Sequence, residues 1–190
     1  MPRTSRLASQ NPHKLAELRE ALPEWELEPL DAEGYPEETG ATYTDNARLK
    51  ARYGASVEPD VWIIGEDSGI ECAALGGEPG LHSARWAPGR DQADALLERM
   101  AGESDRRARM VAEIVAVSPG GEEVDARGEL DGDLALERRG TAGFGYDPIF
   151  IPRGYDRTVA ELGDEWKREH SHRALAARAL ERALRNDGTS

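Results

Sequence analysis

Residues 61–69, with the sequence VWIIGEDSG, constrain the fold more than any other stretch of the chain. Four consecutive apolar residues predict a short buried strand, which Gly65 is expected to end. Glu66 and Asp67 follow directly. Because a buried carboxylate is costly without a partner, two of them at a strand end indicate a bound cation or a reacting water. Oxygen ligands of this kind suit Mg²⁺, and the alternative is an ordinary surface turn, in which Asp-Ser-Gly is common.

Length, cysteine content and charge narrow the class of protein. The 190 residues suffice for a single domain, residues 1–190, with a full core in one or two lobes. No apolar run is long enough to cross a membrane, and the first residues lack the apolar core of a signal peptide. The single cysteine, Cys72, excludes an internal disulfide and fits a reducing cytoplasm. The net charge of −13 argues against nucleic-acid binding, and together these features lead us to expect a cytoplasmic protein that does not bind membranes.

The basic residues are divided very unevenly between arginine and lysine. Of 24 basic residues, 21 are arginine and only three are lysine, namely Lys14, Lys50 and Lys167. A lysine ammonium is a compact charge on a flexible stem and holds a phosphate as a point charge. The three lysines are therefore candidates for phosphate binding, and their retention by chance is the alternative.

The segment SQNPHK, residues 9–14, connects a predicted strand over residues 6–9 to a predicted helix. Asn11 is a favourable N-cap, and Pro12 suits the first helical position. A helix N-terminus offers free backbone N–H groups and the positive end of a dipole, and Lys14 lies in this first turn. The segment predicts a binding site for a triphosphate, with an ordinary strand–helix connection as the alternative.

A second helix is predicted over residues 42–53, after an acidic loop at residues 36–40 that contains Glu38. Asn46 and Lys50 are four positions apart on this helix and therefore share a face. Both side chains can point toward the strand predicted at residues 61–64. A solvated lysine is the alternative interpretation of Lys50.

Strands are also predicted over residues 106–117 and 122–130. The first is apolar at both alternating sets of positions, which is typical of a strand buried on both faces. Gly120 and Gly121 predict the hairpin turn between the two strands, and the Asp131-Gly132 dipeptide predicts a further turn after the second.

Residues 140–152, with the sequence GTAGFGYDPIFIP, combine glycines with aromatic residues. Glycine lets the backbone approach a ligand closely, and Phe144 offers a flat face on which a base can stack. A buried aromatic residue in a turn is the alternative. Lys167, His172 and Arg173 are expected to cluster nearby, just before a last helix over residues 173–185.

Seven motifs along the chain, taken in order, resemble the Ham1-type family of inosine triphosphatase-like enzymes. They are SxNxxK, EETG, NAxxKA, EDSG, GGxPGxxSARW, GFGYDPIF and ELxxxxKxxxSHR. Each motif alone is a weak signal, but their common order over residues 9–184 is specific. Because all three lysines fall on motif positions, the resemblance argues against their retention by chance.

The resemblance implies an α/β protein with the elongated, two-lobed inosine triphosphatase (Ham1/Maf-type) fold. A long mixed β-sheet runs through that fold, and the active site lies in the cleft between the lobes. The family hydrolyses noncanonical purine nucleoside triphosphates, such as ITP, dITP and XTP, to the monophosphate and pyrophosphate. The resemblance also implies Mg²⁺ as cofactor and a homodimer.

The resemblance further assigns roles to individual residues. Asp67 is implied as the proton acceptor and, together with Glu38 rather than Glu37, as a Mg²⁺ ligand. The residues implied in substrate binding are Ser9, Gln10, Asn11, Pro12, His13, Lys14, Lys50, Glu66, Ser68, Phe144, Gly145, Tyr146, Asp147, Lys167, His172 and Arg173. Two positions depart from the family pattern, because Gln10 often corresponds to glycine and Glu66 to aspartate.

Two other functions remain compatible with the sequence. One is a related pyrophosphatase that acts on pyrimidine or modified nucleotides. The other is a nucleotide sensor that binds without hydrolysis, against which Asp67 and Glu38 argue, since a sensor needs no carboxylate to activate water. Pyrophosphate release from a panel of nucleotides distinguishes the three.

Overall fold

The computed structural model describes residues 2–187. Strands and helices follow one another along the chain in this order: β1 (Arg3–Leu7), α1 (Pro12–Ala21), β2 (Trp25–Pro29), α2 (Tyr43–Val57), β3 (Trp62–Cys72), α3 (Gln92–Arg99), β4 (Arg107–Val117), β5 (Glu123–Leu134), β6 (Phe150–Pro152), α4 (Val159–His170) and α5 (His172–Asp187). Short 3₁₀ segments cover Ala73–Leu75 and Gly80–Arg85. Within the described residues, no helix has the length and apolar character needed to cross a membrane.

The six strands form one sheet with the order β2-β1-β3-β4-β5-β6. β1 pairs in parallel with β2 and with β3, whereas β5 and β6 pair antiparallel. The sheet is therefore mixed, and the predicted α/β class is confirmed.

The chain divides into two compact units. Among the described residues, the first unit contains everything up to Asp67, then Ala112–Gly128, and the residues from Arg173 onward. Its core has two apolar clusters, one on each face of the strands. Leu18 of α1 and Leu180 of α5 belong to the first cluster, and Ala47 and Ala51 of α2 belong to the second. The strands are thus covered by helices on both faces, which explains why β4 is apolar at both sets of positions.

The second unit contains Ser68–Val111 and Glu129–His172. One apolar cluster forms its core, and Leu96 of α3, Phe150 of β6 and Val159 of α4 all belong to it. The single cysteine, Cys72, is fully buried in this cluster, and burial raises the pKa of its thiol to about 12. The thiol is therefore neutral and unreactive under ordinary conditions.

Gly65 does not end the strand, so that prediction is wrong. β3 continues from Trp62 to Cys72, and Glu66 and Asp67 lie inside it. A Cβ atom at position 65 would lie 2.0 Å from the carbonyl oxygen of Ala47 in α2. Glycine is therefore required at this position because the backbones of α2 and β3 are in contact. From the sequence alone, a glycine needed for such a close approach cannot be told from a glycine that ends a strand.

The turn predicted at Asp131 and Gly132 is also wrong, for the same reason. Both residues lie within β5, where Gly132 pairs with Pro152 of β6. A Cβ atom at Gly132 would lie 2.2 Å from the carbonyl oxygen of Ile151. The turn predicted at residues 120–121 is confirmed, since Gly121 has φ 84° and its N–H donates to the Ser118 carbonyl oxygen over 2.9 Å.

Candidate active site

In the first unit, β3 extends beyond the carboxyl end of β1. β1 ends at Leu7, which pairs with Ile64, and the Ala8 N–H donates to the Ile64 carbonyl oxygen over 2.8 Å. Glu66 and Asp67 follow after this last pairing, where the chain leaves β1 for helix α1. The carboxyl end of parallel strands is where open α/β sheets bind ligands. The topology therefore places the two acidic residues at the expected position for a site.

Asn11 caps helix α1 as predicted. Its Oδ1 accepts hydrogen bonds from the backbone N–H groups of His13, over 2.9 Å, and Lys14, over 3.4 Å. The expectation that these two N–H groups are free is therefore wrong, because the cap itself uses them. Ser9 supports the turn, since its Oγ accepts from the Asn11 N–H over 3.3 Å. Phosphate binding in this segment would depend mainly on side chains, above all on Lys14.

The remaining residues of this segment are open to solvent. The exposed residues are Gln10, Pro12 and His13. Lys14 is half-buried and points inward, as its ion pair with Glu66 shows.

Glu66 and Asp67 lie on opposite faces of β3, because consecutive strand residues alternate. Ile63 belongs to the apolar cluster that contains α2, whereas Ile64 belongs to the cluster that contains α1 and α5. The contacts of the two carboxylates follow the same alternation. The two carboxylates therefore have different hydrogen-bond and ion-pair partners, on opposite faces of the strand.

Glu66 is fully buried and faces α1 and α5. Its Oε2 lies 2.7 Å from Lys14 Nζ, and its Oε1 lies 3.0 Å from Arg173 Nε. Arg173 also contacts Glu17, with 2.9 Å between its Nη1 and Oε2. Burial by itself would raise the pKa of Glu66, but the charges of Lys14 and Arg173 outweigh burial and hold the pKa well below its usual range. Glu66 is therefore ionised and fixes the position of both cationic side chains.

Asp67 faces α2 and is 5% exposed. Lys50 Nζ lies 3.5 Å from Asp67 Oδ1 and 2.8 Å from Glu38 Oε1. Asn46 donates from Nδ2 to Asp67 Oδ2 over 3.0 Å. Burial raises the pKa of Asp67, Lys50 opposes this, and the nearby charge of Glu66 adds to the rise. A carboxylate with a raised pKa is a better proton acceptor. Glu38 and Asp67 also face the same cationic group, the Lys50 ammonium.

Asp147 organises the glycine-rich turn of the second unit. Its Oδ2 accepts from the Phe144 N–H over 2.9 Å and from Lys167 Nζ over 2.6 Å. Lys167 Nζ in turn lies 4.9 Å from the centroid of the Phe144 ring, which is within the range of a cation–π contact. Gly143 has φ 77°, and a Cβ atom there would lie 2.1 Å from Asp147 Oδ2. The buried Asp147 side chain thus supports the loop and places Lys167 beside Phe144.

The other predicted residues of the second unit differ in exposure. Tyr146 is buried, and its hydroxyl donates to the Ser83 carbonyl oxygen over 2.9 Å. Burial raises the pKa of this tyrosine far above its usual value, so the side chain is a neutral part of the core. Gly145 and Ser68 are half-buried, and His172 is buried at the start of α5.

The structure brings the predicted residues together in two groups. The phosphate-and-metal group, in the first unit, consists of Lys14, Glu38, Lys50, Glu66, Asp67 and Arg173. The base group, in the second unit, consists of Phe144, Asp147 and Lys167. Arg173, which was expected to cluster with Lys167, pairs with Glu66 and Glu17 of the first unit.

Three residues of these networks were absent from the predicted site. Glu17 lies three positions after Lys14 on α1, and Asn46 lies four positions before Lys50 on α2, so helical spacing carried a signal for both. Ser83 had no such helical spacing, and its only signal was its position in the motif GGxPGxxSARW. Its Oγ accepts from the Ile70 N–H over 2.9 Å, a contact between residues that are distant in sequence.

Comparisons with known proteins identify relatives along nearly the whole chain. The sequence profile of the Ham1 family matches residues 6–183. The chain is 50% identical over 193 residues to the dITP/XTP pyrophosphatase of Symbiobacterium thermophilum, and the match covers 96% of each protein. It is 43% identical over 196 residues to the dITP/XTP pyrophosphatase of Mycobacterium bovis, again over 96% of each protein.

Solved structures show the same fold. The Ham1 protein of Staphylococcus aureus superimposes with a TM-score of 0.85 at 34% identity, over 97% of this chain and 99% of that one. The nucleoside-triphosphatase (dITP/XTP pyrophosphatase) of Mycobacterium abscessus superimposes with a TM-score of 0.73 at 40% identity, over 95% of this chain and 99% of that one.

Proposed function

Because this chain belongs to the Ham1 family, we propose that it hydrolyses noncanonical purine nucleoside triphosphates, dITP, ITP and XTP, to the monophosphate and pyrophosphate. The observation that carries the proposal is a match to dITP/XTP pyrophosphatases over nearly the whole chain. The convergence of Glu38 and Asp67 on one cationic group agrees with this activity. The reaction removes damaged purine nucleotides from the nucleotide pool.

The residues present fit a divalent cation of the Mg²⁺ type. Glu38 Oε1 and Asp67 Oδ1 face the same Lys50 ammonium, at 2.8 Å and 3.5 Å, so both carboxylates would be available to a metal ion bound beside it. Among residues 2–187, no group of three or more histidine, cysteine or acidic side chains forms a metal cluster. Two carboxylates agree with Mg²⁺, which typically keeps several waters and takes one or two carboxylates plus substrate phosphates. Glu37 is exposed, which favours Glu38 as the second ligand.

Several side chains of the first unit have separate roles in the proposed hydrolysis. Asp67 accepts a proton as the oxygen of water attacks the α-phosphorus, and the bond from that phosphorus to the bridging oxygen breaks to release pyrophosphate. Lys14 and Lys50 hold the triphosphate and stabilise its developing charge. Glu66 keeps Lys14 in place, since the two lie 2.7 Å apart. When bound, Mg²⁺ neutralises phosphate charge and lowers the pKa of water.

The second unit supplies the residues that hold the base. Phe144 stacks on the purine, and Asp147 keeps Lys167 beside the Phe144 ring. The 6-oxo group of hypoxanthine or xanthine accepts a hydrogen bond where the amino group of adenine donates one. Donors that face this edge are left unpaired when ATP binds, and this rejects ATP.

A nucleotide panel tests the proposed reaction. We expect pyrophosphate release with Mg²⁺ from dITP, ITP and XTP to exceed that from ATP by at least about 10²-fold in kcat/KM, and GTP, which shares the 6-oxo group, is included to test whether position 2 of the base is also read. Release of orthophosphate instead of pyrophosphate would contradict cleavage between the α and β phosphates. A preference for pyrimidine or modified nucleotides would identify a related pyrophosphatase, and tight binding without any product would identify a sensor.

We expect Phe144→Ala to raise KM for dITP and ATP by a similar factor, about tenfold, because stacking on a ring contributes roughly 1–3 kcal/mol and tolerates every base. Steady-state kinetics with both nucleotides measures the two factors. Tyr155→Ala is the matched control, since Tyr155 is an aromatic residue of the same unit that packs against Trp166 instead. A changed ratio between dITP and ATP in Phe144→Ala would show that this ring selects the base.

We further propose that the enzyme is a homodimer of the cytoplasm. The family resemblance supports the dimer, and the free, buried Cys72 agrees with a reducing compartment. The match of one family profile to residues 6–183 supports a single functional domain.

A further inference from the structure

Asn46 lies in the first turn of α2 and is 1% exposed. Both ends of its side-chain amide make hydrogen bonds. Nδ2 donates to Asp67 Oδ2 over 3.0 Å, and Oδ1 accepts from the Gly40 N–H over 2.8 Å. A backbone N–H requires an acceptor and a carboxylate requires a donor, so only one orientation of the amide satisfies both partners.

Gly40 belongs to the acidic loop that carries Glu38, and this loop lies directly against α2. A Cβ atom at Gly40 would lie 2.7 Å from Asn46 Oδ1 and 2.6 Å from the Cβ of Asp45. Thr42 and Asp45 form a capping box at the same helix end. Glycine is therefore the residue that lets the loop come close enough for its N–H to reach Asn46.

The same amide thus connects the segments that carry the two acidic residues facing Lys50. Glu38 comes from the loop, two positions before Gly40, and Asp67 comes from β3. The bond from Asn46 occupies Oδ2 of Asp67 and leaves Oδ1 directed toward Lys50. The half-buried Glu38 lies on a loop outside the helices and strands, and the bond between Asn46 and Gly40 fastens this loop to α2 two positions after Glu38.

We propose that Asn46 is a positioning residue that orients Asp67 and the loop carrying Glu38 for the binding of one divalent cation. The inference rests on the proposed function, because it concerns the metal ion of that reaction. Residues that orient metal ligands through hydrogen bonds typically change metal affinity or activity by about 10–100-fold when they are replaced. A role of this kind differs from simple support of the fold, since it acts on metal affinity more than on nucleotide affinity.

Metal binding by Asn46→Ala tests the proposal. Mn²⁺ is titrated into the full chain with a non-hydrolysable α,β-methylene analogue of dITP, and free Mn²⁺ is followed by electron paramagnetic resonance. We expect the Mn²⁺ dissociation constant to rise about 10-fold or more. In parallel, the Mg²⁺ concentration for half-maximal pyrophosphate release should rise, while KM for dITP at saturating Mg²⁺ changes little.

Two further variants complete the experiment. Ser5→Ala is the matched control, because Ser5 is a fully buried residue of the same unit whose Oγ donates to the Glu26 carbonyl oxygen, away from the acidic residues. It should bind Mn²⁺ as the wild type does. Gly40→Ala disturbs the bond between the Gly40 N–H and Asn46 Oδ1, and should therefore weaken Mn²⁺ binding as Asn46→Ala does. It replaces Asn46→Ala in the test if that variant does not fold.

The outcomes separate the inference from the proposed function. If wild-type protein binds Mn²⁺ and folded Asn46→Ala binds it equally well, the inference is overturned and the function stands. Equal Mn²⁺ binding by Gly40→Ala, where only that variant folds, overturns it as well. A wild type that neither binds Mn²⁺ with the analogue nor releases pyrophosphate overturns the proposed function, and the inference with it.

Discussion

Asp67→Asn is expected to lower the turnover of dITP by about 10²-fold or more while the fold is retained. The amide has the shape of the carboxylate but neither accepts a proton at neutral pH nor binds a cation well. Burial raises the pKa of Asp67, which means that the folded protein keeps this carboxylate ionised at a cost in free energy. Replacing it with a neutral amide should therefore not lower the free energy of unfolding. Lys50 keeps Glu38 as a partner at 2.8 Å. Steady-state pyrophosphate release gives the turnover, and thermal unfolding monitors the fold.

Glu113→Gln is the matched control for this experiment. Glu113 is also a buried carboxylate of the first unit, burial likewise raises its pKa, and it pairs with Arg127 over 2.7 Å. The Glu113→Gln variant should keep turnover close to that of the wild type, because none of the described contacts joins Glu113 to the phosphate-and-metal group. Near-normal turnover in Asp67→Asn would move the proton acceptor to another residue.

Gly65→Ala should lower the free energy of unfolding by about 3 kcal/mol, at the upper end of the usual range for overpacked interiors. The added Cβ atom would lie 2.0 Å from the Ala47 carbonyl oxygen and 2.7 Å from the Ala51 nitrogen. Both are backbone atoms of α2, so no side-chain rotation relieves the clash and the helix itself must move. Denaturant unfolding of the two proteins measures the difference.

Gly34→Ala provides the comparison. Gly34 is exposed, and a Cβ atom there would have no heavy atom within 4 Å. We expect its free energy of unfolding to stay within about 0.5 kcal/mol of the wild type, as for most surface substitutions. If both variants unfold at the same denaturant concentration, the contact between β3 and α2 is looser than the distances indicate.

Local chemistry explains what could be predicted from the sequence. The start of α1 follows from Asn11 and Pro12, whose preferences for the N-cap and first helical position act within a few residues. The hairpin turn at Gly121 follows in the same way. Apolar residues at both alternating sets of positions in β4 predicted burial on both faces, because successive side chains of a strand point to opposite faces.

What could not be predicted depends on contacts between distant segments. Gly65 and Gly132 both suggested a chain break, and the atoms that explain them, in Ala47 and Ile151, come from other elements. The separation of Glu66 from Asp67 likewise depends on which helix covers each face of β3. Arg173 reaches Glu66 across 107 positions of sequence, and no local pattern carries that information.

The ion pairs of the phosphate-and-metal group have a consequence for how substrate arrives. Lys14, Lys50 and Arg173 each face at least one of four acidic side chains, those of Glu17, Glu38, Glu66 and Asp67, so all three cations are already paired within the protein.

Enzymes that steer anions by a positive field lose association rate as ionic strength rises. Here the net charge of the whole chain is −13, and the free triphosphate is itself an anion. If Lys14 and Lys50 hold the triphosphate as proposed, each must exchange a carboxylate for a phosphate when the substrate arrives. Added salt would screen the long-range repulsion between the acidic protein and the free nucleotide.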